Sequence, residues 1–491
     1  MPNIAFKRPE LTARLPEYDM IRDCVAGSIA VKAATTKYLP RPNSHDRSRA
    51  NTARYNNYIA RAVFYNVTRR TVAGLIGQIF MRDPVVEVPD VMQPIVDDTN
   101  GEGVELTQLA KKCANWILPY GRSGLFIDYP TTSGIVTKAA LEEQGIRPTI
   151  KGYAPWNIIN WRTRKRGAKS VLSLVVLEEE YTVSDDGFEI KLDTQWRVLR
   201  NDGDIYTAEV WRKTAGLNFA RVLGPLTPLN AAGKPFPDIP FCFIGAENND
   251  SEIDPPPLFD LADINIAHYR NSSDYEESSF LVGQPTPVLT GLTETWADKY
   301  FKEGVGIGSR AAIPLPVGGK AELLQAEPNT MPFEAMGHKE RQMVALGAKL
   351  VEQKEVQRTA TEANQEEAAE SSVLATVANN ISMAFVWALG WTAEFLGVPE
   401  TGIKFELNTD FDITGMSAAD RAELIKEWQA EAITWEEMRA GLRRSGIATV
   451  DDKEALVEIA KKAEEDAEKN AKLGLNPDGS LKEPDNASFG A

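Results

Sequence analysis

Apolar residues recur at three- and four-residue steps from Arg54 to Met81, at Tyr55, Ile59, Ala62, Val63, Val67, Leu75, Ile76, Ile79 and Phe80, which is the period of a helix with one buried face. Asp83-Pro84 ends that run, and Val85-Val86-Glu87-Val88 reads as a strand. A second helix is expected from Leu106 to about Tyr120, stopped by Pro119 and Gly121. Behind it, Leu125-Phe126-Ile127-Asp128-Tyr129 is a short apolar strand closed by Pro130. From residue 150 to 212 the pattern turns to strands: Tyr153–Trp161, Val171–Glu180, Phe188–Asp193, Gln195–Leu199 and Tyr206–Trp211. Asp186-Gly187 and Asp202-Gly203 punctuate them as hairpin turns. The pattern predicts an α+β block with an antiparallel sheet.

Residues 214–256 are rich in Pro, Gly and Asn and lead into Asp254-Pro255-Pro256-Pro257, which reads as a boundary. Beyond it, Leu258–Val282 predicts a helix roughly 38 Å long at 1.5 Å per residue, stopped at Gly283-Gln284-Pro285. Thr286–Leu289 and Ala321–Leu324 are β-like and flank a glycine-rich middle, Gly304-Val305-Gly306-Ile307-Gly308. A helix from Phe333 to about Lys354, a polar stretch 355–367 and a long helix reaching Leu396 follow. Ile403, Phe405 and Leu407 mark a last strand within 403–413. Two helices come next, Ala418–Glu431 capped by Ser417 and Glu436–Ser445 capped by Thr434. A Lys/Glu-rich helix over 451–472 and a tail from Asn476 expected to be disordered close the chain. No internal repeat is visible.

The apolar stretch Ile381–Val398 is interrupted by Glu394 and is shorter than the ~20 residues of a bilayer span. It reads as the buried face of a soluble helix. The N-terminal MPNIAFKRPELTARLPEY has no apolar core of the signal-peptide kind. At 491 residues the chain has room for about three domains, and 43% hydrophobic with 25% charged residues excludes collagen, low-complexity and disulfide-scaffold classes. The three cysteines, Cys24, Cys113 and Cys242, form no CxxC pair, which argues for a reducing compartment and against a zinc site or a disulfide framework. Three isolated histidines, His45, His268 and His338, disfavour a histidine-based metal centre.

The net charge of −16 is opposite in sign to that of a tight phosphate binder. It is unevenly spread: residues 1–70 hold thirteen Lys and Arg against five acids, and the rest carries the whole acidic surplus. That asymmetry marks either a partner-facing surface, such as an arm on a neighbouring acidic copy, or a solvated helical face.

The motifs that could carry chemistry fail one by one. Gly318-Gly319-Lys320 is followed by Ala321 and has Pro314 where a phosphate loop needs glycine. Gly304–Gly308 lacks dinucleotide spacing and reads as a loop. Gly121-Arg122-Ser123-Gly124-Leu125 misplaces the glycines of a nucleophile elbow. Asp128 is either a metal-binding carboxylate at a strand end or a turn cap before Pro130. Glu276-Glu277 and Glu366-Glu367 are adjacent on helices and so point apart. His268 reads as a packing or intersubunit residue, and the scattered tryptophans as core and interface. No catalytic constellation, metal site or cofactor is expected.

The order of the elements and several segments resemble the portal protein of tailed bacteriophages, the head-to-tail connector. Tyr65–Phe80 followed by Asp83-Pro84-Val85 resembles its opening helix and strand. WILPYGRSGLFIDYP (Trp116–Pro130) is similar to its helix, YGR, apolar strand and Asp, and Tyr153–Trp161 to its next strand. Pro256, Leu258, Asp260, Leu261, Asn265, His268, Tyr269 and Arg270 with Gln284-Pro285 resemble its first stem helix. Trp435-Glu436-Glu437-Met438-Arg439 with Leu442-Arg443-Arg444-Ser445-Gly446 resembles a late helical segment. The likeness covers roughly residues 50–450.

That resemblance implies a non-enzymatic homo-oligomeric ring of twelve copies at one vertex of the virion capsid, assembled in the host bacterial cytoplasm. It implies a channel for double-stranded DNA in packaging and ejection. It also implies docking to the terminase large subunit, major capsid protein, scaffold and head–tail adaptor or tail proteins, with no membrane partner and no cofactor. The family's layers map as a wing over 1–255, stem helices 256–283 and 331–354, and a clip 284–330. A tunnel loop 355–367, a long wing helix with return strand 368–413, a helical crown 414–475 and a disordered tail 476–491 complete it. Gln353, Lys354, Gln357 and Arg358 are the candidate tunnel-loop or channel residues. Lys299, Lys302, Arg310 and Lys320 are the candidate clip contacts to DNA, adaptor or terminase. The competing expectations are a magnesium-dependent nucleic-acid enzyme using Asp128, and another minor capsid or adaptor protein. Against the first, no DxD or ExK cluster sits at the strand end.

Overall fold

The computed structural model describes residues 3–129, 147–214, 218–283, 286–302, 313–324, 330–347, 360–409, 411, 418–430, 432–444, 448, 450 and 452–472. They form two compact units, residues 1–409 and 410–491, and the fold is α+β.

The first unit opens with α1 (Pro9–Ala26), α2 (Ser28–Ala33), α3 (Arg49–Arg61) and α4 (Val67–Ile79). The periodicity from Arg54 to Met81 predicts one helix, whereas the chain breaks between Arg61 and Val67. Asn66 decides this: its Oδ1 accepts from Arg69 N at 3.0 Å and starts a new helix, while Ala62 and Phe64 stay buried in the extended link. β1 (Val85–Glu87) and α5 (Gln93–Asp97) lead to α6 (Leu106–Tyr120), whose bounds match the apolar pattern. Pro119 is accommodated inside the helix, and Gly121 ends it with φ +77° and its N–H on Ile117 O at 2.7 Å.

A three-stranded antiparallel sheet follows in the order β3 (Thr149–Tyr153), β2 (Arg122–Asp128), β9 (Phe241–Gly245), with Leu125 opposite Gly152 on one side and Cys242 on the other. β2 is buried almost throughout, as a central strand covered on both faces must be. The five-stranded sheet is a meander of β4 (Ile158–Arg166), β5 (Lys169–Asp185), β6 (Ile190–Asn201), β7 (Tyr206–Lys213) and β8 (Phe219–Leu226). Its turns fall at the two Asp-Gly pairs, where Gly187 and Gly203 take positive φ. The stretch 214–256, expected as a boundary, instead contributes β8, β9 and a folded turn. Asp254 is buried with Oδ2 on Glu247 N at 2.8 Å, and Asn249 and Asn380 each donate to the other's neighbourhood, at Asn380 O and Gly245 O. Prolines and glycines there serve turns inside the fold.

The Tyr120-Gly121-Arg122 motif has a structural explanation. Arg122 is buried between the faces of Trp161 (4.2 Å) and Phe243 (3.9 Å), and burial lowers its pKa to about 9. Its guanidinium donates to Ser251 O at 3.2 Å, tying the 246–254 turn to β2.

α7 (Phe259–Gly283), β10 (Thr286–Thr290), α8 (Glu294–Tyr300), β11 (Lys320–Leu324) and α9 (Met331–Ala345) follow, then α10 (Ala360–Leu396) and β12 (Lys404–Glu406), which pairs with β1. α9 stops well before Lys354 because Gly347 turns left-handed, φ +93°, with its N–H on Val344 O. The segment 355–367, expected as a loop, is helical from Ala360. In α10, Val373–Leu396 is long and apolar enough to cross a membrane by length and composition, and half of it is buried against β2, β9 and α6. Ile381, Phe385 and Leu389 are fully buried, and Phe385 stacks on Phe405 at 4.8 Å.

The second unit contains α11 (Ala418–Gln429), α12 (Trp435–Arg444) and α13 (Asp452–Lys472). Thr434 caps α12 in a reciprocal box with Glu437, Oγ1 accepting from Glu437 N at 3.2 Å and Glu437 Oε2 accepting from Thr434 N at 2.8 Å. Asp452 accepts from Arg439 at 3.4 Å and from Arg443 at 2.7 Å, joining α12 to α13. Ser417 and the tail from Asn476 lie outside the described residues.

Candidate functional site at the helical arm

α7 and α9 pack against each other, and the two-stranded sheet β10–β11 closes the segment between them, Val288 opposite Glu322. The first half of α7 is built into the body. Leu261, Ala262, Ile266 and Tyr269 are buried among α1, α3 and α4, and three polar residues on the same face, Asn265, His268 and Ser272, are buried with them. Each has a defined partner. Asn265 Oδ1 accepts from Thr68 Oγ1 (2.9 Å) and Thr68 N (3.3 Å), and its Nδ2 donates to Tyr65 O (2.7 Å). Ser272 Oγ accepts from Val63 N at 2.8 Å. His268 Nε2 meets Glu340 Oε1 of α9 at 3.2 Å, so this histidine packs two elements of the arm together. Burial holds its pKa below 6.5 against the pull of Glu340. Further out, Tyr58 OH donates to Asp274 at 2.5 Å, and Glu277 accepts from Arg54 at 3.3 Å and from Arg61.

From Asp274 onward no residue of α7 is buried, α9 buries only Met343, and all five residues of β11 are exposed. Phe280, Leu281, Met331, Phe333, Leu323 and Leu324 lie on this surface as exposed apolar residues. The arm therefore has a base locked by polar contacts and an outer part that leaves apolar surface uncovered.

Of the eight candidate tunnel-loop and clip residues, three can be placed. Lys299 stands in the last turn of α8 with its Nζ 5.2 Å from the Tyr300 ring, Lys302 is exposed just after that helix, and Lys320 opens β11 opposite Thr290. α8 is anchored by Trp296, which donates to Pro314 O at 3.3 Å and packs on Tyr300. Arg310, Gln353, Lys354, Gln357 and Arg358 lie outside the described residues, as does Gly304–Gly308. Gly318-Gly319-Lys320 is a tight turn into β11, Gly319 N on Pro316 O at 2.9 Å and Gly318 at φ +88°.

Asp128 is engaged by cations: Lys151 at 2.8 Å and Arg197 at 3.5 Å. Arg197 also pairs with Glu179 at 2.8 Å, and Tyr153 OH donates to that carboxylate at 2.5 Å. The carboxylate thus belongs to an ion-pair network linking the two sheets. Among the described residues no group of three or more His, Cys, Asp or Glu is placed to hold a metal ion. The thiols of Cys24 and Cys113 are buried and pushed up to about 12 by desolvation.

Sequence reasoning missed Asn265, Glu277 and Glu340 as the residues that hold the arm. The signal was present in part: Asn265, His268 and Ser272 repeat at three and four residues on the apolar face of α7.

Residues 257–396, from α7 through α10, match a family described as a domain of unknown function (DUF4055). No curated protein matches the sequence. Among solved structures, the chain is similar to one from the neck of an empty gene transfer agent particle computed with C6 symmetry. The identity is 13% and the TM-score 0.43, covering 77% of this chain and 90% of that one. It is similar to one from the virion of the native particle at 14% identity and TM-score 0.43, covering 84% and 98%. A third, from the native neck computed with C12 symmetry, matches at 13% identity and TM-score 0.40, covering 77% and 89%.

Proposed function

We propose that this chain is a structural subunit of a phage-like virion at the head–tail neck. Within that class we assign it as the portal, a homo-oligomeric ring of twelve copies through which double-stranded DNA enters and leaves. The observation that carries the reading is the arm. A two-stranded sheet is marginal in water alone, and α9 buries one residue among those described. Such an element is stable when neighbours cover it, and copies arranged about an axis supply that cover while lining a passage with their outer ends.

Charge supports the same reading. Twelve copies at −16 carry about −192, and a wall of that sign repels phosphate, so DNA slides without being gripped. Lys299, Lys302, Arg310 and Lys320 are then the local cations for DNA, terminase or adaptor at the clip, and Gln353, Lys354, Gln357 and Arg358 the tunnel-loop residues. Capsid protein, scaffold and tail proteins are the remaining partners in this reading, and the ring acts without chemistry of its own. Against the competing magnesium enzyme stands the pairing of Asp128 with Lys151 and Arg197.

Native mass spectrometry with negative-stain imaging tests the assignment. A ring near twelve times 54.1 kDa with a central pore is expected. A chain that stays monomeric with scaffold and capsid protein present overturns it.

A further inference from the structure

The β5–β6 hairpin outruns its sheet. β4 covers β5 only as far as Leu177, and β7 covers β6 only from Gln195. Beyond Glu178, whose carbonyl still accepts from Asn157 Nδ2 at 3.0 Å, the two strands form a ribbon with no ladder partner on either edge, and every residue from Thr182 to Asp193 is exposed. Its surface is not that of a solvated ribbon. Phe188 at the turn is 100% exposed, and Val183, Ile190 and Leu192 are about half exposed behind it. Leu192 stands opposite Thr182 and Ile190 opposite Asp185, which places the two apolar side chains on one face. Acids surround them: Glu180, Asp185, Asp186, Glu189 and Asp193 against Lys191 alone. A free two-stranded ribbon with an apolar face gains its stability by being covered.

The complementary surface lies on the same chain. Ile29 of α2 is 88% exposed, and Val63 and Tyr65 of the α3–α4 link are also exposed. They belong to one area, because Lys32 of α2 donates to Ala60 O at 2.9 Å and a side chain at Gly27 would meet Asn66 at 3.0 Å. Arg69 and Arg70, in the first turn of α4, are exposed and make no ion pair among the described residues. Seven of the thirteen cations in the first 70 residues form ion pairs, among them Lys7–Glu178, Arg14–Glu17, Lys37–Asp23 and Arg61–Glu277. Arg69 and Arg70 form none among the described residues and stand beside the Val63–Tyr65 link.

We infer that the acidic, Phe188-tipped ribbon of one copy docks on the Ile29–Val63–Tyr65 surface beside Arg69 and Arg70 of the next copy. The apolar patches match, the flanking charges are opposite, and the two surfaces are different regions of the chain. A contact between unlike surfaces runs head to tail and closes when the rotation closes, which is the symmetry a ring needs. The inference rests on the ring reading above and names the surfaces that would build it. Opposite charge on the rims gives the contact its register and its salt dependence.

The test replaces Phe188 with a photoreactive benzoylphenylalanine in the full chain, assembles rings, irradiates and maps the cross-linked peptides. Cross-links from position 188 to residues 28–33 or 60–70 of another copy are expected. Rings whose cross-links map elsewhere, or only within one copy, overturn the interface while leaving the ring intact. Failure to form any ring with scaffold and capsid protein overturns the ring reading and this inference together. In a second arm, Glu180→Lys and Glu189→Lys together, which leave the turn acceptors Asp185 and Asp186 in place, lower ring yield at least tenfold at 0.1 M salt, with the melting temperature of the subunit unchanged. Adding Arg69→Glu and Arg70→Glu restores the yield. An unchanged yield in the reversed variant, or no rescue by the second set, refutes the charge pairing.

Discussion

Replacing Asn265 by alanine tests how the arm is held to the body. Asn265 and Thr68 are both fully buried, and the amide makes three hydrogen bonds to the link and first turn of α4. Truncation leaves the Thr68 N–H without an acceptor. This amide lies in the first turn of α4, where no intrahelical partner exists for it. An orphaned buried donor costs ~1–3 kcal/mol, and we take about 2 for it. The Tyr65 carbonyl keeps the Val67 N–H at 2.9 Å and is discounted to about 1, and the Thr68 hydroxyl is left out of the sum. The total is about 3 kcal/mol, or roughly a hundredfold rise in local opening at ~1.4 kcal/mol per factor of ten.

Hydrogen–deuterium exchange of peptides spanning 62–72, at fixed pH and temperature, reads that opening directly. Asn265→Ala should speed exchange there about a hundredfold and leave β5–β6 peptides unchanged. Thr68→Val should cost less alone and add little to Asn265→Ala, because the two groups share one network. Exchange at 62–72 within threefold of the parent would refute the claim that this amide caps α4 from a distant helix.

Gly121→Ala should lower stability by about 2–4 kcal/mol, from a strained positive φ and a Cβ 2.8 Å from the carbonyl oxygens of Asp254 and Pro255; an unchanged thermal melt would refute it. Phe385→Ala removes a fully buried ring stacked on Phe405 and should cost ~3–5 kcal/mol, read by urea unfolding. His268 has a folded pKa below its unfolded 6.5, so the folded state binds fewer protons and stability is full above 6.5 and falls as pH drops through that value toward the lower folded pKa. Melts from pH 7.5 to 5 should show this loss, and His268→Gln should flatten it; parallel curves would contradict the assignment. Glu179 shows the same sign at lower pH. Burial raises its pKa, but Arg197 and hydrogen bonds from Arg197, Tyr153 and Gln195 outweigh that and hold it below 4.5. Its contribution is lost as pH falls below that value, and Glu179→Gln should remove that acid-side slope from melts taken between pH 5 and 3.

Elements with strong periodicity were legible in the sequence: α6, the two Asp-Gly hairpins, β10 and β11, and the start of α12 at Thr434 all stand close to where the pattern puts them. The α3–α4 break was not, because Ala62, Val63 and Val67 continue a helical spacing while the cap at Asn66 overrides it. The stretch 214–256 misled for a related reason. Its Pro, Gly and Asn are turn residues in either a linker or a folded excursion, and only pairing with β2 and α10 tells them apart. The unpaired length of the β5–β6 ribbon was hidden as well, since where neighbouring strands stop is a property of the sheet and not of the strand.

The polar face of α7 connects these points to function. Apolar contacts alone fix a helix weakly along its axis, because one turn of slip exchanges one apolar residue for another. Asn265, His268 and Ser272 do not allow that exchange, since a slipped helix would bury each without its partner, at ~1–3 kcal/mol apiece. The register of α7 on the body is therefore set by Thr68 and the Val63 amide, and that of α9 on α7 by Glu340. The tip, with Lys299, Lys302 and Lys320, takes its position from that register. In the proposed ring the tip's distance from the axis sets the width of the passage, so a change at Asn265 is expected to alter DNA retention without touching any residue that faces DNA. Retention equal to the parent in particles carrying Asn265→Ala, with the exchange change at 62–72 present, would separate the arm's register from the passage and defeat this link.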